Sequence, residues 1–314
     1  MTTKTLISFL SRWRRDVHAD CKITIFYRPD ISVRKYGDRG VLYGLQDCGH
    51  LIGNLQLGAF CYGIVCKTKF LPTFSDHPGP IDITRPVPLC QLSYEEKGIP
   101  SLHDQLDDEQ TEILRAMAIR ASVASFGPEP LDHSLVKGVI NDANWLATKL
   151  ICPADTQISF HLGERASSEN WVFSHLNGGA GSWGYAADTK TLDLKSMFLS
   201  QSIVEAAQAI LLLSTPNSSL SSLFRHSIAV GQLGQCLYIA AARRRVGVSC
   251  VGGFDFQDVA SSFDLAQARH AAYVTVFGHT GSMRAKHDRI YQPTHRDVPT
   301  TFLAGKESDF DART

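Results

Sequence analysis

The stretch from Ser222 to Phe256, SLFRHSIAVGQLGQCLYIAAARRRVGVSCVGGFDF, decides how the rest of the chain is read. Leu223, Ile228, Val230, Leu233, Leu237, Ile239 and Ala241 recur at roughly three-to-four spacing, which predicts a long buried helix. Small residues crowd the same segment, among them Ala229, Gly231, Gly234, Ala240, Ala241 and Ala242. Such residues let another backbone or a flat ring come close. Arg243–Arg245 place positive charge where a helix C-terminus favours it, and Gly247 is expected to stop the helix. Val251, Gly252 and Gly253 then form a loop able to lie flat against a planar ligand. Taken alone, the stretch is equally compatible with a core helix followed by an ordinary turn.

Outward from that segment, composition narrows the classes. The chain has 314 residues, and 31 basic side chains balance 31 acidic ones. A net charge of zero removes any broad electrostatic case for nucleic acid or an acidic membrane surface. No apolar run approaches the length of a membrane span. The N-terminus has an apolar patch followed by basic residues, the reverse of a secretory signal, so none is expected. The 8 cysteines form no CxxC pair and the 12 histidines show no paired ligand spacing, which argues against a structural zinc. Free thiols in apolar contexts suit a reducing cytoplasm.

Before the helix, AAQAILLLSTP (206–216) reads as a buried strand, and after it RHAAYVTVFGHTG reads as another. Nearer the N-terminus the pattern recurs. Residues 1–20 read as a helix, KITIFYRP (22–29) as a strand ended by Pro29, and 32–63 as a charged turn leading into a Leu-, Gly- and Ala-rich helix. RPVPLCQLSYEEKG (85–98) reads as a further strand. Residues 22–98 and 206–278 therefore form an internal repeat of strand, turn, small-residue helix, loop and strand. Between them, residues 99–110 are polar and acidic, marking a boundary whose acids can also open the next helix. Leu131–Leu150 reads as a helix. ISFHLGE, NWVFSHL and GSWGYAADTKTLDLKS read as a hairpin-like series, with Tyr185 ending one strand and Leu192 and Leu194 beginning the next.

The Leu-Tyr-x-Ala-Ala-Ala run, Gly247-Val248 and Val251-Gly252-Gly253-Phe254-Asp255 resemble the nitroreductase-like flavin oxidoreductases. In that family the loop after the helix passes under the flavin. Lys35-Tyr36-Gly37-Asp38-Arg39-Gly40, followed by Tyr43, Asp47, Gly49 and Asn54, resembles the SagB-type branch, the thiazoline and oxazoline dehydrogenases of peptide natural-product pathways. Asp47 stands where that branch has Glu, and Gly53 where it has Gln. A third likeness is Arg120-Ala121-Ser122-Val123-Ala124-Ser125-Phe126, similar to the family's Arg-Arg-Ser-x-Arg-x-Phe segment, which holds the flavin phosphate and ribityl chain. Alanine replaces the second and third arginines, which weakens the inferred phosphate site, because arginine supplies a planar fork of donors. Only Pro153 of Pro153–Gln157 matches the family's Pro-Ser-x-Gly loop, and KTKFLPTFSDHPGP lacks the expected glycine pair.

The resemblance implies an α+β, nitroreductase-like fold, with an antiparallel-dominated sheet flanked by helices. It implies a partial copy over 1–98, a linker over 99–110, a complete copy over 111–281 and a charged tail over 282–314. It implies FMN as cofactor, held by Arg120, Ser122, Val251, Gly252 and Gly253, with Arg284 and Lys286 of the tail standing in for the missing arginines. Lys35 and Tyr36 are the candidate base that takes an α-proton from a thiazoline or oxazoline ring while hydride passes to the flavin. The implied partners are a peptide substrate, a cyclodehydratase complex and a second subunit, with no nucleic acid and no membrane. An NAD(P)H-dependent nitro- or quinone-reductase and a non-catalytic flavin-fold scaffold stand as alternatives.

Overall fold

The computed structural model describes residues 21–71, 85–95, 106–153, 157–167, 170–177, 184–217 and 219–280. The helix expected over 1–20, most of the Pro153–Gln157 loop, and Arg284 and Lys286 lie outside these residues. The described chain runs β1 (Cys21–Tyr27), α1 (Pro29–Tyr36), α2 (Arg39–Cys61), β2 (Val65–Phe70), β3 (Val87–Glu95), α3 (Asp108–Ile119), α4 (His133–Ala147) and β4 (Ser159–Arg165). It continues with β5 (Asn170–Asn177), β6 (Gly184–Thr191), α5 (Leu194–Met197), α6 (Ser202–Glu205), β7 (Ala209–Pro216), α7 (Leu220–Arg244), β8 (Gly247–Val251), α8 (Phe256–Ser262) and β9 (Arg269–Gly278).

The strands form a three-stranded sheet in the order β1-β3-β2 and a six-stranded sheet in the order β6-β5-β4-β7-β9-β8. Every pairing between these strands is antiparallel. In β1-β3-β2 and in β7-β9-β8 alike, a first strand leads into a long helix, and the last strand then returns between the other two. The chain is thus α+β, with antiparallel sheets flanked by helices.

The apolar run of β7 explains why the six-stranded sheet has two covered faces. Ala209, Leu211 and Leu213 join the core shared with α2, α4 and α7. Ile210 and Leu212 point the other way, into a second core with Trp171, Phe198, Phe254 and Val274. A strand buried on both sides has no polar alternation to show. The larger core takes in Ile25 and Leu92 of the three-stranded sheet together with Ile113, Val139 and Leu237 of the later helices.

At the centre, α2 crosses α7 with almost no side chain between them. A Cβ on Gly231 would lie 2.1 Å from the carbonyl oxygen of Gln46, and one on Gly49 would lie 2.2 Å from that of Ile228. The contact is reciprocal: each glycine follows by three residues the carbonyl that the opposite glycine meets. Polar side chains along the seam pair across it, as buried polar groups must. Gln235 donates to Asn54 at 2.7 Å and Gln232 donates to Gln56 at 3.0 Å, while Gln46 reaches past the seam to donate to the Ala272 carbonyl of β9 at 2.9 Å.

Several local boundaries differ from the sequence reading. Pro29 does not merely end β1. It opens α1, where a fixed φ and a missing N–H are harmless. Lys35 and Tyr36 therefore stand in the last turn of a helix rather than in a turn. α7 is stopped by Arg245, which adopts the left-handed conformation itself, with φ 56°. Gly247 is the first residue of β8. Tyr185 lies near the start of β6, and Leu194 begins the short helix α5 rather than a strand. The acidic stretch does open a helix: Asp107 caps α3 with a reciprocal pairing to Gln110, and α3 starts at Asp108.

Candidate functional site

Three segments far apart in sequence meet beside the end of β8. The first is the α1–α2 corner. Gly37 turns the chain there with φ 60°, and α2 then displays Arg39, Tyr43, Asp47 and His50 on adjoining turns of its surface. The second is Arg120, at the C-terminal cap of α3, with Ser122 just beyond it. The third is β8 and the loop that follows, Val251–Phe254.

Three successive carbonyls of that loop are each held by a side chain from elsewhere. Tyr43 donates its hydroxyl to Gly252, and Gln201 donates its amide to Gly253 and, at 3.0 Å, to Phe198. Arg39 donates to Phe254 at 3.0 Å and stacks over the Phe256 ring at 5.3 Å. Tyr43 also covers Gly252 sterically: a Cβ there would come within 3.4–3.5 Å of its ring carbons. Tyr36 meets the Tyr43 ring edge-on at 5.4 Å, and Lys35 Nζ lies 4.7 Å from the centre of the Tyr36 ring. Lys35, Tyr36, Tyr43 and Gly252 are thus stacked in order. Lys35–Tyr36 and the Gly252 loop, far apart in sequence, are linked through Tyr43.

Arg120 lies deeper. Its guanidinium stands 5.9 Å from the Tyr238 ring centre, and its Nε is buried with no hydrogen-bond partner among the described residues. Burial holds its pKa below the ordinary value, offset only by Tyr238, Cys250 and Tyr273. Ser122 Oγ is 3.0 Å from Ser249 Oγ, and the Tyr238 hydroxyl accepts the Cys250 N–H at 3.0 Å. Val251 contributes backbone only, since its side chain is buried in the second core.

A polar relay runs behind Arg120. Gln235 donates its amide N–H to Asn54, so its oxygen faces His50 Nδ1, at 3.2 Å, as an acceptor. His50 therefore carries its proton on Nδ1, and its Nε2 accepts from the Tyr273 hydroxyl at 2.6 Å. Burial, then the Arg120 charge, push the His50 pKa down to about 4, against a smaller opposing effect of Gln235. The imidazole is neutral at pH 7. Burial likewise raises Asp47, with Lys35 acting in the other direction.

His50, Gln201 and Tyr273 were not among the residues singled out from sequence, and Arg39 and Tyr43 entered only as parts of a motif, with no role in the site. Arg39 and His50 could have been found from the helical spacing of polar side chains on one face of α2. Gln201 and Tyr273 carry no local signal, because only the tertiary fold brings them to the loop.

These elements define a nitroreductase-like fold. No protein-family model matches the sequence, and no curated protein matches it. Among solved structures, a protein described as a candidate nitroreductase from Anabaena variabilis superposes with a TM-score of 0.65 at 15% identity, over 82% of this chain and 69% of that one. A candidate nitroreductase from Ralstonia eutropha has a TM-score of 0.42 at 16% identity, over 56% of this chain and 84% of that one. NfrA2 of Bacillus megaterium has a TM-score of 0.41 at 14% identity, over 61% of this chain and 78% of that one. At these identities the likeness concerns fold. Among the described residues no helix is long and apolar enough to cross a membrane, and no group of His, Cys, Asp and Glu could hold a metal ion.

Whether the site suits FMN is tested at its two ends. A buried arginine Nε without a partner suits an anionic phosphate. At the other end, the Gly252 face does accept a planar ring at van der Waals distance, and here that ring is Tyr43. Arg120 thus offers an anion an unpartnered donor, and the Gly252 face has the shape to receive a planar ring, a place taken here by Tyr43.

Proposed function

We propose that the chain is an FMN-dependent oxidoreductase that dehydrogenates a thiazoline or oxazoline ring in a modified peptide. The observation that carries this reading is the stacking of Lys35 and Tyr36, through Tyr43, against Gly252. FMN, when bound, supplies the acceptor for the hydride. Arg120 and Ser122 would hold its phosphate and ribityl chain, and the backbone at Val251–Gly253 would back its ring. Tyr36 is 48% exposed and so open to a peptide substrate, and Lys35 lies against it. The pair supplies the base that takes the ring α-proton, so that proton and hydride leave together and the azoline becomes an aromatic azole.

The same proposal covers the architecture. Residues 1–98 are read as a partial copy, joined through the 99–110 linker to a complete copy at 111–281, followed by the 282–314 tail. The shared strand order of β1-β3-β2 and β7-β9-β8 and the reciprocal glycine crossing support that reading. Self-association, a cyclodehydratase partner and a cytoplasmic location belong to it as well. A reductase of nitro or quinone compounds on the same fold is distinguished by its reductant.

A second reading has its own observation. Tyr43 covers Gly252, and Ala121 and Ala124 replace two arginines, as expected of a non-catalytic scaffold. Purification tests the choice. A yellow protein that releases FMN on denaturation and turns over an azoline peptide supports the first reading. Bleaching by NAD(P)H with no azoline turnover favours the reductase. A colourless protein that takes up no added FMN refutes both.

A further inference from the structure

Tyr43 does more than line the site. Its hydroxyl end lies over Gly252: Cζ, Cε1 and Cε2 are the atoms 3.4–3.5 Å from the missing Cβ, and the hydroxyl donates to the Gly252 carbonyl. It thus presents a planar face and a hydrogen-bond donor, two features that a flavin ring also carries. Its neighbours differ. Arg39 and Gln201 hold the next carbonyls, and neither places an aromatic ring on a glycine face. Burial raises the Tyr43 pKa, so the phenol keeps the proton it donates.

We propose that Tyr43 is a resident occupant of the ring-binding face, which a planar ligand carrying a ring N–H must displace in order to bind. This rests on the oxidoreductase reading and adds to it. The ligand must replace the donor as well as the ring, because a carbonyl left unpaired opposes the exchange. Displacement also reaches the candidate base. The Tyr43 ring is flanked edge-on by Tyr36, and Tyr36 by Lys35, so moving Tyr43 moves the packing partner of the pair. Occupancy of the cofactor face and the position of Lys35–Tyr36 are thereby coupled.

The test is a titration of the full chain with FMN and with riboflavin, followed by quenching of flavin fluorescence. Wild type, Tyr43→Ala and Tyr43→Phe are compared, and circular dichroism checks that each is folded. Tyr43→Ala, which frees the face, is expected to bind both ligands at least about tenfold more tightly than wild type, a change of about 1.4 kcal/mol. Tyr43→Phe keeps the ring but releases the carbonyl, and should fall between them. It decides the matter by itself if the alanine variant does not fold. Wild type that binds FMN as tightly as both variants, or more tightly, overturns the proposal and leaves the oxidoreductase reading standing. Binding by the variants but not by wild type would mean that Tyr43 closes the face instead of yielding to a ligand, which overturns the proposal together with the oxidoreductase reading for the native chain. No binding by any of the proteins overturns both.

Discussion

Replacing His50 with glutamine should make the protein less sensitive to acid, by about 2 kcal/mol between pH 7 and pH 5. His50 is held neutral by its surroundings: Nδ1 donates to Gln235, Nε2 accepts from Tyr273, and burial and Arg120 oppose a second proton. Its pKa moves from 6.5 to about 4 on folding. Below 6.5 the unfolded chain takes up a proton that the folded chain refuses, so the stability contributed by His50 is present above that value and is lost as the pH falls. Over the whole window the loss approaches about 3 kcal/mol, and about 2 kcal/mol of it has occurred by pH 5. These are upper values, since part of the His50 surface is exposed. Glutamine keeps a donor and an acceptor on the seam but does not titrate. The assay is urea unfolding of wild type and His50→Gln at both pH values, with the two losses of stability compared. His161, also pushed down to about 4 by burial, Arg269 and His175, contributes equally to both proteins and cancels. Parallel losses would refute the reasoning and mean that His50 is protonated in the folded state or plays no part in acid unfolding.

Gly231→Ala should destabilise the protein by about 3 kcal/mol, because the added methyl meets a backbone carbonyl rather than a side chain that can turn aside; urea unfolding measures it, and a loss below 1 kcal/mol would contradict the crossing. Asp107→Ala removes the reciprocal cap of α3 and should cost about 1 kcal/mol in the same assay. Leu199→Gly should stabilise by about 1 kcal/mol, since Leu199 is held at φ 51° and is 58% exposed, so relief of backbone strain outweighs lost packing. A lowered melting temperature would contradict that last expectation. Lys35→Ala should lower azoline turnover by at least about a hundredfold, the ordinary contribution of a positioned base, while leaving FMN content unchanged.

Much of the fold was legible because apolar pattern and burial coincide. The spacing of Leu223–Ala241 gave α7, and the unbroken apolar run of β7 gave a strand covered on both faces. Two boundaries were misread for the same reason, that proline and glycine have more than one use. Pro29 opens α1 instead of merely ending β1, and a non-glycine residue, Arg245, takes the left-handed cap of α7 while Gly247 enters β8. In the candidate site, Lys35–Tyr36 and Val251–Gly253 could be picked out separately, since each is a local pattern. That Tyr43 joins them could not be read locally, because Tyr43 and Gly252 are 209 residues apart and meet only through the α2–α7 crossing.

The crossing of α2 and α7 constrains how such a chain can diverge. At Gly49 and Gly231 the obstacle is main chain, so no substitution in a neighbouring residue can make room for a methyl group. The segment before residue 95 cannot be exchanged for a foreign module unless the replacement brings a glycine at the matching position of its own helix. A lineage could shed Arg120, Tyr43 or the Lys35–Tyr36 pair and still assemble. Loss of either glycine would instead fall on the stability of the whole crossing, whatever became of the residues that would touch a cofactor.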